Sequence, residues 1–113
     1  NIDNSNSNIV NKPPEFPGGM KGLLEFLINN VDYPKQAKKD SIEGRVVVKF
    51  NVDTNGVVKD IGILRGVDSL LDAEAMRVVG IMPKWKPGIF NGKKTELSFH
   101  LPIDFRLQFD KKK

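Results

Sequence analysis

Apolar and polar side chains alternate without a break along the end of this chain. The alternation begins at Leu97 and continues to Phe109, and a period of two is typical of a β-strand that buries one face. Proline has no amide hydrogen to give to a neighbouring strand, so a strand that contains Pro102 belongs at the edge of its sheet, with that position facing outward. The sequence therefore predicts one long last strand that is open on one side.

A second stretch with the same period predicts a β-hairpin in the middle of the chain. From Gly44 the apolar residues at even positions up to Val52 share one face, as in a half-buried strand. The Asp-Thr-Asn-Gly sequence at 53–56 favours the left-handed backbone of a tight loop. Ile61 and Ile63 then mark the inner face of the returning strand.

Two helical segments are predicted before the hairpin. An apolar set near the start of the chain recurs at the spacing of one helical face, which predicts an amphipathic helix. Pro34 starts a short helical turn through Ala37, because proline is tolerated in the first turn of a helix. The residues of the apolar face are Met20, Leu23, Leu24, Leu27 and Ile28.

A third helix is predicted between the hairpin and the last strand. Ser69 and Asp72 match a capping box, in which two side chains satisfy exposed amides at a helix start. Pro83 ends the helix after Met82. The stripe that can lie on the sheet consists of Leu71, Ala75, Val78, Val79 and Met82.

These elements predict an α+β fold with a three-stranded antiparallel sheet. A right-handed crossover after the hairpin places the last strand beside the first, so the order is second, first, third. One helix covers a face, and the earlier helical segments pack at its side or end. At 113 residues the chain fits one domain. We expect a flexible linker end over 1–15, the domain over 16–110 and a basic tail over 111–113.

The sequence offers no set of residues suited to catalysis, a metal or a cofactor. The chain has no cysteine and one histidine, His100, on the polar side of a strand, so a zinc site lacks its ligands. Asp72 and Glu74 point in different directions on a helix and make a poor acid and base pair. The glycines form no phosphate-binding pattern. We therefore expect a protein that is not an enzyme.

The positive charge of the chain does not indicate nucleic-acid binding. The formal net charge is +4, but the lysines are scattered among acidic residues, as on an ordinary solvated surface. A nucleic-acid binder would also show a steep salt dependence of affinity. We expect no nucleic acid among the partners.

Trp85 lies between Pro83 and Pro87, which hold its ring in a constrained, loop-like backbone. Two interpretations stay open. The ring caps the core where the helix meets the last strand, or it also contributes to an interface, since loops on rigid scaffolds often carry contacts.

Several motifs together resemble the C-terminal domain of the energy-transducing TonB family, found in bacteria with two membranes. Their order and spacing match over most of the chain. The matching segments are Pro14-Glu15-Phe16-Pro17-Gly18-Gly19, Tyr33-Pro34-Lys35-Gln36-Ala37, Glu43-Gly44-Arg45-Val46-Val47-Val48-Lys49-Phe50, Leu71-Asp72-Ala73-Glu74-Ala75, Pro83-Lys84-Trp85-Lys86-Pro87-Gly88 and Leu101-Pro102-Ile103-Asp104-Phe105.

The resemblance implies a periplasmic domain whose parent protein is anchored in the inner membrane and works with motor proteins there. An anchor and a proline-rich spacer normally precede such a domain, and a start at Asn1 rather than Met also leads us to expect an upstream region. In the family, the TonB box of an outer-membrane receptor adds as a strand beside the last strand. The partner-binding residues implied here are Glu96, Ser98, His100, Pro102, Asp104, Arg106 and Gln108.

Further contacts are implied at two family motifs, at Tyr33 and Pro34 and at Trp85, Lys86 and Pro87. An exposed strand edge also admits pairing between two copies of the chain.

The main alternative is a TonB-like domain at the end of a BlaR-type membrane sensor metallopeptidase that binds another envelope protein. Several membrane spans and a His-Glu-x-x-His motif upstream would favour that sensor, whereas one anchor and a proline-rich spacer would favour the transducer.

Overall fold

The computed structural model describes residues 11–107. Within this range it has three helices and five strands, and no helix is long and apolar enough to cross a membrane. In chain order they are α1 (Gly19–Asn30), α2 (Lys35–Lys39), β1 (Gly44–Val52), β2 (Val58–Arg65), α3 (Ser69–Gly80), β3 (Gly88–Phe90), β4 (Lys93–Thr95) and β5 (Leu97–Phe105).

The main sheet has the predicted order. Its three strands are arranged β2-β1-β5, and both neighbouring pairs are antiparallel. The hairpin between β1 and β2 is confirmed: the Asp53 carboxylate accepts hydrogen bonds from the amides of Asn55 and Val57, at 2.9 Å each. Gly56 has a φ of +85°, and a side chain there would collide with the backbone of Trp85. A glycine is therefore required at the point where this turn meets the Trp85 loop.

One face of the sheet is covered by α3, and four of the five residues of its predicted stripe are confirmed. The helix ends at Gly80 rather than at Met82, and Met82 lies half-buried just beyond it. Leu71, Ala75, Val78 and Val79 are all buried, and the inward residues of β1 are buried with them.

The predicted capping box is wrong by one residue. Asp68 is the N-cap and accepts from the Leu70 amide, while the Asp72 carboxylate accepts from the Val67 amide. The extended backbone of Asp68 lets its side chain reach that amide, so the helix starts at Ser69, one residue earlier than a Ser69 cap implies.

The last strand is shorter than the sequence predicts. β5 ends at Phe105, and Gln108 and Phe109 lie outside the described residues. A small hairpin of β3 and β4, which the sequence pattern does not predict, precedes it.

Pairing within the domain begins before Phe16. The amides and carbonyls of Lys12 and Ile89 bond at 2.8 and 2.9 Å, and those of Glu15 and Lys86 bond at 3.0 and 2.7 Å. Both Lys12 and Glu15 fall in the stretch predicted as a flexible linker end. Composition did not indicate this pairing, because its hydrogen bonds join main-chain groups; Pro14, between the two bonded residues, is also buried. The other domain boundaries stay predictions.

The apolar face of α1 is only partly buried. Leu23 is 3% exposed, whereas Met20, Leu24 and Ile28 are 66%, 53% and 64% exposed. The helix turns a different side towards the core, because Phe26 packs there against Phe16 with ring centroids 5.4 Å apart. The stripe that the spacing predicts is therefore split between the core and the surface.

Candidate functional site

The open edge of the main sheet is β5. It pairs with β1 in an unshifted register from Gly44 opposite Phe105 to Val52 opposite Leu97. On its other side no strand of the described chain pairs with it. One row of backbone donors and acceptors is therefore free to bond with another strand.

Pro102 indicates which backbone groups form that row. It lies opposite Val47 in the ladder. Because proline has no amide hydrogen, it fits in a ladder without losing a hydrogen bond only if its backbone nitrogen and carbonyl point away from the neighbouring strand. Because the direction alternates along a strand, Ser98, His100 and Asp104 share the outward direction. The open edge thus offers the amides of these three residues and the carbonyls of all four.

The side chains of these four residues lie on the solvent face of the sheet, and each is exposed. Asp104 is paired across the ladder with Arg45, with Nε to Oδ1 at 2.7 Å and Nη2 to Oδ2 at 3.1 Å. The hydrogen bond from Arg45 lowers the pKa of Asp104, and the same pair raises the pKa of Arg45. The pair is solvent-exposed, so its main effect is to orient the two side chains.

The two ends of the predicted edge differ. The Glu96 carboxylate accepts from Asn51 at 3.0 Å and lies 3.2 Å from Lys59 Nζ, so it is directed across β1 towards β2, away from the open edge. Arg106 follows β5 and is half-buried; its guanidinium lies 3.5 Å from the Phe105 carbonyl oxygen. Gln108 lies outside the described residues.

An apolar groove of about 560 Å³ lies beside the second half of β5. Its walls come from α1 and the segment after it on one side and from the end of β5 on the other. The predicted partner-binding residues do not include the wall formed by α1. The lining residues are Leu24, Leu27, Ile28, Val31, Tyr33, Pro102, Ile103, Asp104, Phe105 and Arg106.

The width of the apolar face of α1 is the sequence feature that could have predicted this wall of the groove. With Phe26 included, the apolar residues of α1 cover about 200° of the helix, at about 100° per residue. A helix on the outside of a small domain buries a narrower stripe, so part of such a wide face remains exposed.

Tyr33 and Pro34, the first pair of further contacts, lie at the groove and next to it. The Tyr33 ring meets Phe105 edge-on with centroids 5.6 Å apart, and its hydroxyl donates to the Ile42 carbonyl. Pro34 is half-buried at the N-cap of α2, the short helix that the sequence predicts there.

The second set, Trp85, Lys86 and Pro87, does not line the groove. Trp85 is 4% exposed, and its ring centroid lies 5.3 Å from Phe50 and 5.0 Å from Phe99. Of its two interpretations, the structure therefore supports core packing. Lys86 is exposed and pairs through its backbone with Glu15, and Pro87 is half-buried.

Residues 11–107 contain no cluster of His, Asp or Glu side chains that could hold a metal ion. The site is an open strand edge with an apolar groove beside it. Such an arrangement can bind an extended peptide through its main chain.

Comparison with known proteins relates this chain to TonB proteins. A family model described as the Gram-negative bacterial TonB protein C-terminal matches residues 29–107. The match begins at the end of α1, so this helix lies almost wholly outside it. The TonB protein of Pseudomonas aeruginosa is 32% identical over 93 residues, which cover 71% of this chain and 26% of that protein. The chain thus spans about a quarter of that curated relative.

Solved structures show the same fold. Two NMR solution structures of the Helicobacter pylori TonB C-terminal domain, a longer and a shorter fragment, superpose with TM-scores of 0.57 and 0.58. Their sequence identities are 23% and 22%. The first superposition covers 74% of this chain and 75% of that one, and the second covers 79% and 94%.

Proposed function

Because the chain belongs to the family of TonB C-terminal domains, we propose that it is the receptor-binding domain of a TonB-type energy transducer. It lies in the periplasm, and its parent protein is anchored in the inner membrane beside motor proteins. It binds the TonB box of an outer-membrane receptor by strand addition to β5 and so supports energy-dependent uptake.

The observation that carries this proposal is the open, unshifted edge of β5. A regular strand presents its free amides and carbonyls at even spacing, which is what a second extended chain needs for pairing. Neither catalysis nor a bound cofactor is required for this function.

Main-chain bonding alone gives a weak complex. A receptor segment of about six residues makes about five hydrogen bonds at about 1 kcal/mol net each, and ordering the flexible peptide offsets part of that gain. The result corresponds to about millimolar affinity, so micromolar binding requires side-chain contacts as well. A complex of millimolar to micromolar affinity forms and dissociates readily.

Strand addition also suits a protein that pulls. A peptide bound along β5 and pulled along the strand direction loads its hydrogen bonds together rather than one at a time. The domain then transmits a force that an equally weak end-on contact would not bear. A pulling experiment on the complex measures this directly, and rupture at negligible force would contradict it.

The binding mode is tested by titrating the ¹⁵N-labelled chain with synthetic TonB-box peptides from outer-membrane receptors of the same organism. We expect saturable amide shifts along 98–106, strongest at Ser98, His100 and Asp104. Peptides with the same composition in scrambled order are the control. Shifts that cluster on β2, or no saturable shifts with any peptide, would show that the proposed function is wrong.

N-methylation of the peptide backbone gives a second test. Methyl groups on the alternate amides that face β5 remove the inter-strand hydrogen bonds, whereas methyl groups on the other alternate set leave them in place. We expect the first peptide to lose binding and the second to retain it. Equal binding of the two would exclude main-chain pairing.

A further inference from the structure

An exposed apolar stripe runs along the outer side of α1. Met20, Leu24 and Ile28 follow one another at intervals of four residues, and each is more than half exposed. Neighbouring large apolar side chains that stay in water mark an interaction surface more often than an isolated one does. The stripe is not needed to hold the helix, because Leu23, Phe26 and Leu27 already pack against the core.

The stripe faces the open edge of the sheet. Leu24 and Ile28 line the same groove as Ile103 and Phe105 of β5, and Met20 continues the stripe one turn further along the helix. Ile103 and Phe105 point into the helical layer, where both are buried.

A strand added to β5 extends the sheet, and its side chains alternate between the two faces as those of β5 do. Every second side chain of the added strand therefore points into the helical layer, level with Ile103 and Phe105. In that layer it meets Leu24 and Ile28, and it covers apolar surface that is now in water.

One end of the groove, after β5, carries a positive charge from Arg106, whereas the rest of its lining is mainly apolar. Arg106 lines this end, and in the part of the chain that the structure describes its guanidinium has an uncharged carbonyl as its hydrogen-bond partner, while its charge also helps to lower the pKa of Asp104. The nearby Asp104 carboxylate is already bonded to Arg45. A carboxylate on the incoming segment therefore has an oppositely charged group to pair with beside the apolar wall.

We propose that the Met20, Leu24 and Ile28 stripe is the second wall of the partner site and selects which segments bind. Its occupant is an extended segment of another protein, with apolar side chains at alternate positions facing α1 and a carboxylate beside Arg106. This inference rests on the proposed function and adds sequence preference to it. α1 lies almost wholly before the residues that the family model matches.

The test compares two equally exposed leucines. Leu24 in the groove is 53% exposed and Leu64 in β2, outside the groove, is 52% exposed. With the receptor peptides used above and titration calorimetry, we expect Leu24→Glu to weaken binding by about tenfold and Leu64→Glu by less than about twofold. Both substitutions are on the surface, and amide spectra of the free variants check that each chain is folded.

Substitutions in the peptide locate the contact. Serine replaces the apolar side chains of one alternate set or of the other, in two peptides of equal length. In the wild-type chain we expect weaker binding only for the peptide in which serine replaces the side chains that face α1. In Leu24→Glu that same peptide should bind as the unsubstituted peptide does, because the effects of substituting two residues in contact are not additive. Replacing the peptide carboxylate with its amide should weaken binding to the wild-type chain but not to Arg106→Gln.

The outcomes separate this inference from the proposed function. If wild-type β5 shows saturable shifts but Leu24→Glu binds as tightly as Leu64→Glu, the stripe has no part in the site and the proposed function stands. If no shifts appear along β5, both proposals are wrong. If the free chain sediments as a dimer that Leu24→Glu converts to a monomer, the stripe is a contact between copies and the inference is overturned.

Discussion

The two edges of the main sheet have opposite properties. The register between β2 and β1 shifts twice, Asp60 in β2 has a φ of +55°, and Lys59 and Arg65 are exposed along the strand. Bulges, distorted backbone and charged side chains are how proteins protect an edge against another strand. The β5 edge has an unshifted register instead. A further strand would therefore pair more readily with β5 than with β2.

The edges also differ in how firmly they are held. No residue of β2 is fully buried, whereas Leu101, Ile103 and Phe105 of β5 all are. The open edge is thus the better packed one. In the proposed function, a strand that bears a load on its free side would benefit from firm packing on its core side.

The largest effect should come from removing matching side chains from the two edge strands. Ile103→Ala in β5 leaves a cavity at a buried position and should lower the free energy of unfolding by about 4 kcal/mol. Ile63→Ala in β2 affects a half-buried position and should cost about 1–2 kcal/mol. Urea unfolding of both variants measures the difference, and equal losses would mean that the edges are packed alike.

A smaller effect should follow from blocking one amide of the open edge. His100→Pro removes an outward donor and should weaken binding of the receptor peptides by about tenfold, since a bond is lost and the proline ring crowds the incoming strand. His100→Ala removes the same side chain but keeps the amide, and should bind nearly as the wild type does. Similar losses in the two variants would assign the contact to the imidazole instead of the backbone.

The smallest effect concerns two carboxylates whose pKa values are lowered for different reasons. The side-chain bond from Arg45 is the main cause for Asp104, whereas for Asp53 it is the backbone amide of Val57. Arg45→Met should therefore raise the pKa of Asp104 clearly, while Lys59→Met should leave that of Asp53 almost unchanged. Carboxyl-carbon NMR titrations measure both values.

The same pair sets the sign of a pH effect. Because folding lowers the pKa of Asp104, its stabilising contribution is present at neutral pH and is lost as the pH falls through the folded-state pKa. The Asp104→Asn variant should lack this contribution, so its stability should fall less steeply with acid than that of the wild type. Parallel acid-unfolding curves for the two chains would contradict this sign.

Much of the fold could be predicted because the signals are local. Alternation marks β1, β2 and the start of β5, and the 53–56 turn joins the first two strands. The strand order then follows from the crossover rule. The open edge could also be inferred, because Pro102 restricts where its strand can lie.

The candidate site was predicted less completely. The backbone edge at Ser98, His100 and Asp104 follows from the alternation, but the direction of the Glu96 carboxylate depends on Asn51 and Lys59, which are distant in sequence. The burial of Trp85 depends in the same way on Phe50 and Phe99. Spacing along the chain carries no information about such neighbours.

The sequence by itself determined the kind and order of most elements, because the period of apolar residues depends only on nearby residues. Only the tertiary structure decided which of those residues are buried. Leu23 and Leu24 are adjacent and chemically identical, yet one is 3% exposed and the other 53%. Burial depends on what lies opposite a side chain, and the core lies opposite Leu23 whereas the groove beside β5 lies opposite Leu24.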